Sequence, residues 1–252
     1  MTDIGKVHTT GLLTLALAAV TLAGCGNSAA PGGAAGSSGP PTASARPSAP
    51  AMSSPGAPAP SASAVVPGES VVSYRVTYPW HWPNDVTNPA SVRHSTPVPP
   101  VPRLVAIRAG DHPGGSGERP YNRMSFTFTT GFPSYQVGFV SALTSDASGQ
   151  PVPLAGDDVL RVIFHQAQGH TASGGSSVTS QPPARLGLSR MVGWAPAGDF
   201  EGVLTYGIGI RRPVLNSNPQ FPVRTTEVEK VTAQGEHLYV VTIDIDATPL
   251  GG

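Results

Sequence analysis

Tyr121-Asn122-Arg123-Met124-Ser125-Phe126-Thr127-Phe128 alternates side chain by side chain, with Met124, Phe126 and Phe128 on one face and Arg123, Ser125 and Thr127 on the other. A period of two is the signature of a half-buried strand. The same pattern recurs on both sides of this stretch. Upstream stand Val71–Tyr78, rich in β-branched and aromatic residues, and Leu104–Arg108. Downstream come Tyr135–Phe139, then Val159–Phe164, whose apolar residues fall on both faces as in a central strand. Phe200–Ile210 alternates again, with Gly207 and Gly209 sharing one face, which predicts a bulge or the close approach of another backbone. Phe221–Val231 and His237–Ile245 complete the set, while Leu186–Trp194 is ambiguous.

Outside the N-terminal apolar run, no stretch of helical length carries a 3.6-residue period. Short strands separated by Gly, Pro, Ser and Asp turns predict an all-β fold, a single β-sandwich or barrel. Such a core accommodates 30 glycines and 28 prolines, which would break helices. Residues 86–102 and 166–184 read as long connections.

The N-terminus is of another kind. Lys6 precedes Gly11–Gly24, a run without charge that is too short to span a bilayer, since about 20 apolar residues are needed. Basic then apolar is the order of a secretory signal. The run closes on Leu22-Ala23-Gly24-Cys25, and Cys25 is the only cysteine. This tetrapeptide resembles the lipobox of bacterial lipoproteins, which implies cleavage before Cys25 and acylation of its thiol, palmitate included. The alternatives are an ordinary secretory cut and an uncleaved anchor. From Gly26 to about Pro67 the chain is nearly all Ala, Gly, Pro and Ser, which cannot bury apolar surface and reads as a disordered spacer. The domain boundaries that follow are a signal peptide over 1–24, lipidated Cys25 and a linker over 25–69, a folded domain over 70–247 and a tail over 248–252. The expected location is the extracytoplasmic face of the cell membrane.

Fifteen basic and fifteen acidic residues give zero net charge, which removes the electrostatic reason to expect nucleic acid as a partner. A domain without further cysteine folds without a disulfide. The chain also lacks the β/α alternation that the lobes of a solute-binding protein require.

Ile107-Arg108-Ala109-Gly110, the 121–128 stretch, Tyr135–Val140, Gly149–Gly156, Leu160-Arg161-Val162 and Gly198–Gly202 together resemble the AMIN-like domain of actinobacterial lipoproteins. The resemblance covers roughly 100–245 and implies a non-catalytic β-sandwich that binds peptidoglycan or another envelope component. The pattern departs from the family at Asn122, at Thr127 and over Glu236–Tyr239, and Gly114–Arg119 reads as an insertion.

For catalysis there is neither a Gly-x-Ser-x-Gly elbow nor a His-Glu-x-x-His. His165 and His170 are placed to point apart, so no metal site or cofactor is predicted. Asp157/Asp158 and Asp244/Asp246 are the acid pairs a small hydrolase would use, and Asp244 and Asp246 share a strand face. Charge guarding an edge strand accounts for that pair equally well. Asp199–Gly202 reads as a turn with Phe200 as a core anchor and Glu201 as an unsupported ligand. The best binding candidates are Tyr78, Trp80 and Trp82, the tryptophans lying on a loop bounded by Pro79 and Pro83, because indole faces stack on sugar rings. The alternative is that this loop folds back with its tryptophans buried. The reading is therefore a lipid-anchored wall-binding protein rather than an enzyme. Its rivals are a module that pairs with another envelope protein through a sheet edge, and a hydrolase using an Asp pair.

Overall fold

The alternating stretches pair, as such patterns must, because each strand buries one face and needs neighbours for its backbone N–H and C=O groups. The computed structural model describes residues 68–84, 89–95, 100–115, 117–212 and 221–249. Signal, Cys25 and spacer as far as Pro67 lie outside the described residues.

Ten strands form two antiparallel five-stranded sheets, and the described residues contain no helix. In the first sheet the order is β1 (Ser70–His81), β9 (Val223–Val231), β10 (His237–Asp246), β4 (Tyr121–Thr129) and β3 (Arg103–His112). In the second it is β2 (Ala90–Val92), β5 (Ser134–Val140), β6 (Asp158–His165), β8 (Val203–Ile210) and β7 (Met191–Phe200). Their apolar faces meet as a sandwich. On β4 the inward set is Met124, Phe126 and Phe128, all fully buried, as predicted. Opposite stand Phe164 and Tyr206, with ring centroids of Phe126 and Phe164 4.9 Å apart and those of Phe128 and Phe164 5.0 Å apart. Each such ring contributes about 1.5–3 kcal/mol by leaving water.

Two devices close the outside of the sandwich. The segment after β5 crosses the second sheet where Gly207 and Gly209 leave room: a Cβ on Gly209 would collide with the Ala155 carbonyl oxygen, and one on Gly207 with the Leu143 side chain. At Gly209 that is the predicted approach of another backbone, whereas at Gly207 the neighbour is a side chain. Residues 168–180 run along the free edge of β3, with the Leu104 N–H donating to the Gln168 carbonyl at 2.9 Å and the Ile107 N–H to Ser180 at 2.8 Å.

Four expectations need correction. Pro79 does not end the first strand, because β1 is an edge strand whose register shifts leave backbone positions that need no ladder bond. Residues 86–102 are not wholly irregular, since Ala90–Val92 pair with Val137–Tyr135. The ambiguous stretch enters β7, which carries Pro196 at the edge of the second sheet. Finally, Phe200 is 67% exposed rather than a core anchor. Glu201 and Gly202 both take positive φ, 50° and 77°, forming a two-residue hairpin turn that leaves Phe200 at the tip.

Candidate functional site

Had β1 been regular, Tyr78 and Trp80 would share a face. Its pairing with β9 shifts between Val76 and Tyr78 and again between Tyr78 and His81, and such bulges re-aim side chains. Tyr78 consequently packs half-buried against the core, while Trp80 lies half-buried among residues on the far side of the sheet. The Arg224 guanidinium sits 4.5 Å from the Trp80 ring centroid, that of Arg119 5.0 Å, and Tyr121 meets the indole edge-on at 6.0 Å. Trp82 follows the strand, 48% exposed, and stacks on His81 at 6.3 Å. The three predicted aromatics therefore do not form one platform. Trp80 is engaged by the chain's own guanidinium groups, and Trp82 with His81 is the part open to a ligand.

Beneath this row lies a charged lattice set by register. Asp244 on β10 is opposite Arg224 on β9 and Arg123 on β4. Its carboxylate, fully buried, accepts two bonds from Arg123, at 2.6 and 2.9 Å, and two from Arg224, at 2.9 and 2.7 Å. Arg224 also reaches Glu118 at 2.8 Å, and Arg119 reaches Asp246 at 2.6 Å. The segment that reads as an insertion thus brings Arg119 to Trp80 and Glu118 to Arg224. Burial works to raise the Asp246 carboxyl, but bonds from Thr248 and from Arg119 outweigh it and hold the group below the usual carboxylate range. His112 stacks on Tyr121 at 4.5 Å, with its Nε2 buried and without a hydrogen-bond partner. Burial, then the charge of Arg123, lowers its pKa, so it is neutral at pH 7.

The acid pairs are likewise engaged. Asp244 and Asp246 lie on β10, the middle strand of the first sheet, so an edge-guarding role is ruled out. Asp158 pairs with the Arg212 side chain, and Asp157 accepts the Arg212 backbone N–H at 2.7 Å. His165 ends β6, whereas His170 bonds Asp199 at 2.9 Å, and among the described residues no three metal-ligating side chains come together.

Sequence reasoning missed Arg119, Tyr121 and Arg224 as neighbours of Trp80. A usable signal existed in Arg123, Arg224 and Asp244, charged positions in strands that otherwise read as interior.

A family model for the AMIN-like domain matches residues 102–243. No curated protein and no solved structure matches the chain.

Proposed function

The chain belongs to the AMIN-like domain family, and from that premise we propose that it is a lipid-anchored envelope protein whose domain holds a cell-wall component such as peptidoglycan. An AMIN-like domain is an envelope module of the binding type. In this reading Cys25 carries the acyl chains, residues 26–69 are the spacer, and the domain meets the wall with Trp82 and His81. One observation carries the choice of site: Trp82 is 48% exposed and stacks on His81, itself exposed. An open indole beside an exposed imidazole suits a sugar, which has an apolar face and a rim of hydroxyls.

The test pellets insoluble peptidoglycan with protein comprising residues 26–252. Trp82→Ala is expected to lower the bound fraction several-fold while leaving thermal stability unchanged. Equal binding by this variant removes Trp82 from the site, and no pelleting of the parent removes the wall ligand.

A second reading has its own support. β1 is the edge of the first sheet, and Val71, Val72, Tyr74 and Val76 on it are all more than 40% exposed. Such an edge can pair with a strand of another envelope protein.

A further inference from the structure

A cavity of about 550 Å³ opens at one end of the second sheet, where β2 and the residues after it meet the start of β5 and the end of β6. Its size lies within the roughly 300–1,000 Å³ typical of small-molecule sites. The lining brings the guanidinium of Arg93 and the side-chain amides of Gln136 and Gln166, all donors, together with the imidazoles of His94 and His165. No carboxylate lines it.

The wall of this cavity is held by groups a plain core would not contain. Glu227 shares the inward face of β9 with Val223 and Thr225, and its side chain is 3% exposed. It bonds His94 Nε2 at 2.7 Å and Arg75 Nη2 at 2.6 Å. Ser134 Oγ accepts the His94 backbone N–H at 2.9 Å and donates to the His94 carbonyl at 3.3 Å. Beside them the hydroxyls of Tyr135, Thr77 and Thr225 form a chain with links of 2.7 Å. Burying a carboxylate costs several kcal/mol before its partners offset it, and an apolar residue at 227 would serve stability as well. The cluster fixes one ring nitrogen of His94 and thereby its orientation at the cavity. Gln166 adds a second departure from an ordinary strand end, since it holds φ at 55°, a left-handed conformation that costs a non-glycine residue about 1 kcal/mol or more. Arg93 is exposed and pairs with no carboxylate among the described residues, and its planar fork is the group that binds a carboxylate through two parallel bonds.

We propose that this cavity is a second binding site, one that takes a small carboxylate through Arg93, with the side-chain amides of Gln136 and Gln166 bonding its remaining oxygens beside the oriented His94. The carboxylate can belong to an acidic sugar or to a peptide C-terminus, and the chemistry at Arg93 is common to both. This site is independent of Trp82 as a wall contact.

Calorimetric titration of the purified protein distinguishes the sources. Glucuronic acid is compared with glucose, and N-acetylalanine with N-acetylalaninamide, for the parent, Arg93→Gln and Trp82→Ala. At least one acid is expected to bind about tenfold or more tightly than its neutral counterpart, a difference of roughly 1.4 kcal/mol. Arg93→Gln, at an exposed position that leaves the Glu227 cluster intact, should abolish that preference, and Trp82→Ala should keep it. The acid that binds names the source. Equal affinity for acid and neutral compound, no heat at concentrations of about 10 mM, an unchanged preference in Arg93→Gln, or its loss in Trp82→Ala would each overturn the proposal.

Discussion

Asn122 shows how much a single inward amide can organise. It is fully buried on β4, donates to Asp111 at 2.6 Å, and accepts the backbone N–H groups of Arg190 and Met191 at 2.7 and 2.9 Å. Those two N–H groups lie at the start of β7, just after the turn at Gly187 that folds residues 184–186 back onto it. Asn122→Ala strands both donors away from water and should cost roughly 2–4 kcal/mol in urea unfolding. Asn122→Asp keeps the acceptor but sets a second carboxylate against Asp111, so it should lose more stability at pH 7 than at pH 4. Nothing in the local sequence announces this role, because the partners lie 68 and 69 residues away. Asp246 supplies a pH-dependent counterpart. Its folded pKa is depressed, so the stability it contributes is present above the unfolded value, near about 4, and is lost as pH falls through the folded one. Arg119→Gln removes one source of that depression. The parent should exceed this variant by up to about 1 kcal/mol at pH 7, since Arg119 remains 40% exposed, and thermal melts of the two should converge below about pH 4.

Legibility varied from element to element for a physical reason. β4, β6, β8 and β10 are interior strands, and burial on at least one face writes the period of two into them. β1, β2 and β7 include edges and bulges, where a proline or a register shift costs little, so Pro79 reads as a stop although β1 continues through it, and β7, which carries Pro196, leaves its first residues ambiguous. The same contrast applies to the candidate site. Trp80 and Trp82 were visible as unusual residues, but the bulges that send Tyr78 inward and Trp80 outward depend on pairing with β9, which no local pattern records. The Glu227 cluster was hidden for the opposite reason: a Glu in Thr225-Thr226-Glu227-Val228-Glu229 looks like an outward residue, and only the register places it inside. Glycines were the exception, because Gly207 and Gly209 together leave one strand face bare, which the Leu143 side chain and the Ala155 backbone fill. Gly209→Ala should force the 154–157 segment off β8, since the obstacle is the Ala155 backbone rather than a flexible side chain. Its cost should reach about 1–3 kcal/mol, whereas Gly149→Ala, at an open turn with φ of 67°, should cost about 1 kcal/mol through backbone strain alone. Comparing their denaturation midpoints checks the difference.

At the scale of the molecule, a domain proposed to bind the wall is useful only if something holds it there, and in that proposal anchor and binding surface are chemically separate. The first sheet has β1 as its edge, and β1 begins at Ser70, directly after the stretch rich in Ala, Gly, Pro and Ser. A wall contact made by Trp82, eleven positions beyond Val71, therefore sits close in sequence to where the spacer would join. A spacer of about 40 residues in polyproline II geometry would span on the order of 100 Å at 3.1 Å per residue. Each acyl methylene at Cys25 would add about 0.8 kcal/mol of membrane affinity, so two or three chains anchor firmly where one does not. Cys25→Ser should abolish incorporation of labelled palmitate and release the protein from washed membranes, while binding to isolated peptidoglycan stays at the parent level. Labelled palmitate retained by that variant, or membrane association that survives in it, would show that the N-terminal segment and not the thiol is the tether. Loss of wall binding along with the lipid would show instead that the domain depends on the membrane for its site, against the separation of anchor and site that the nearly uncharged spacer and the folded sandwich support.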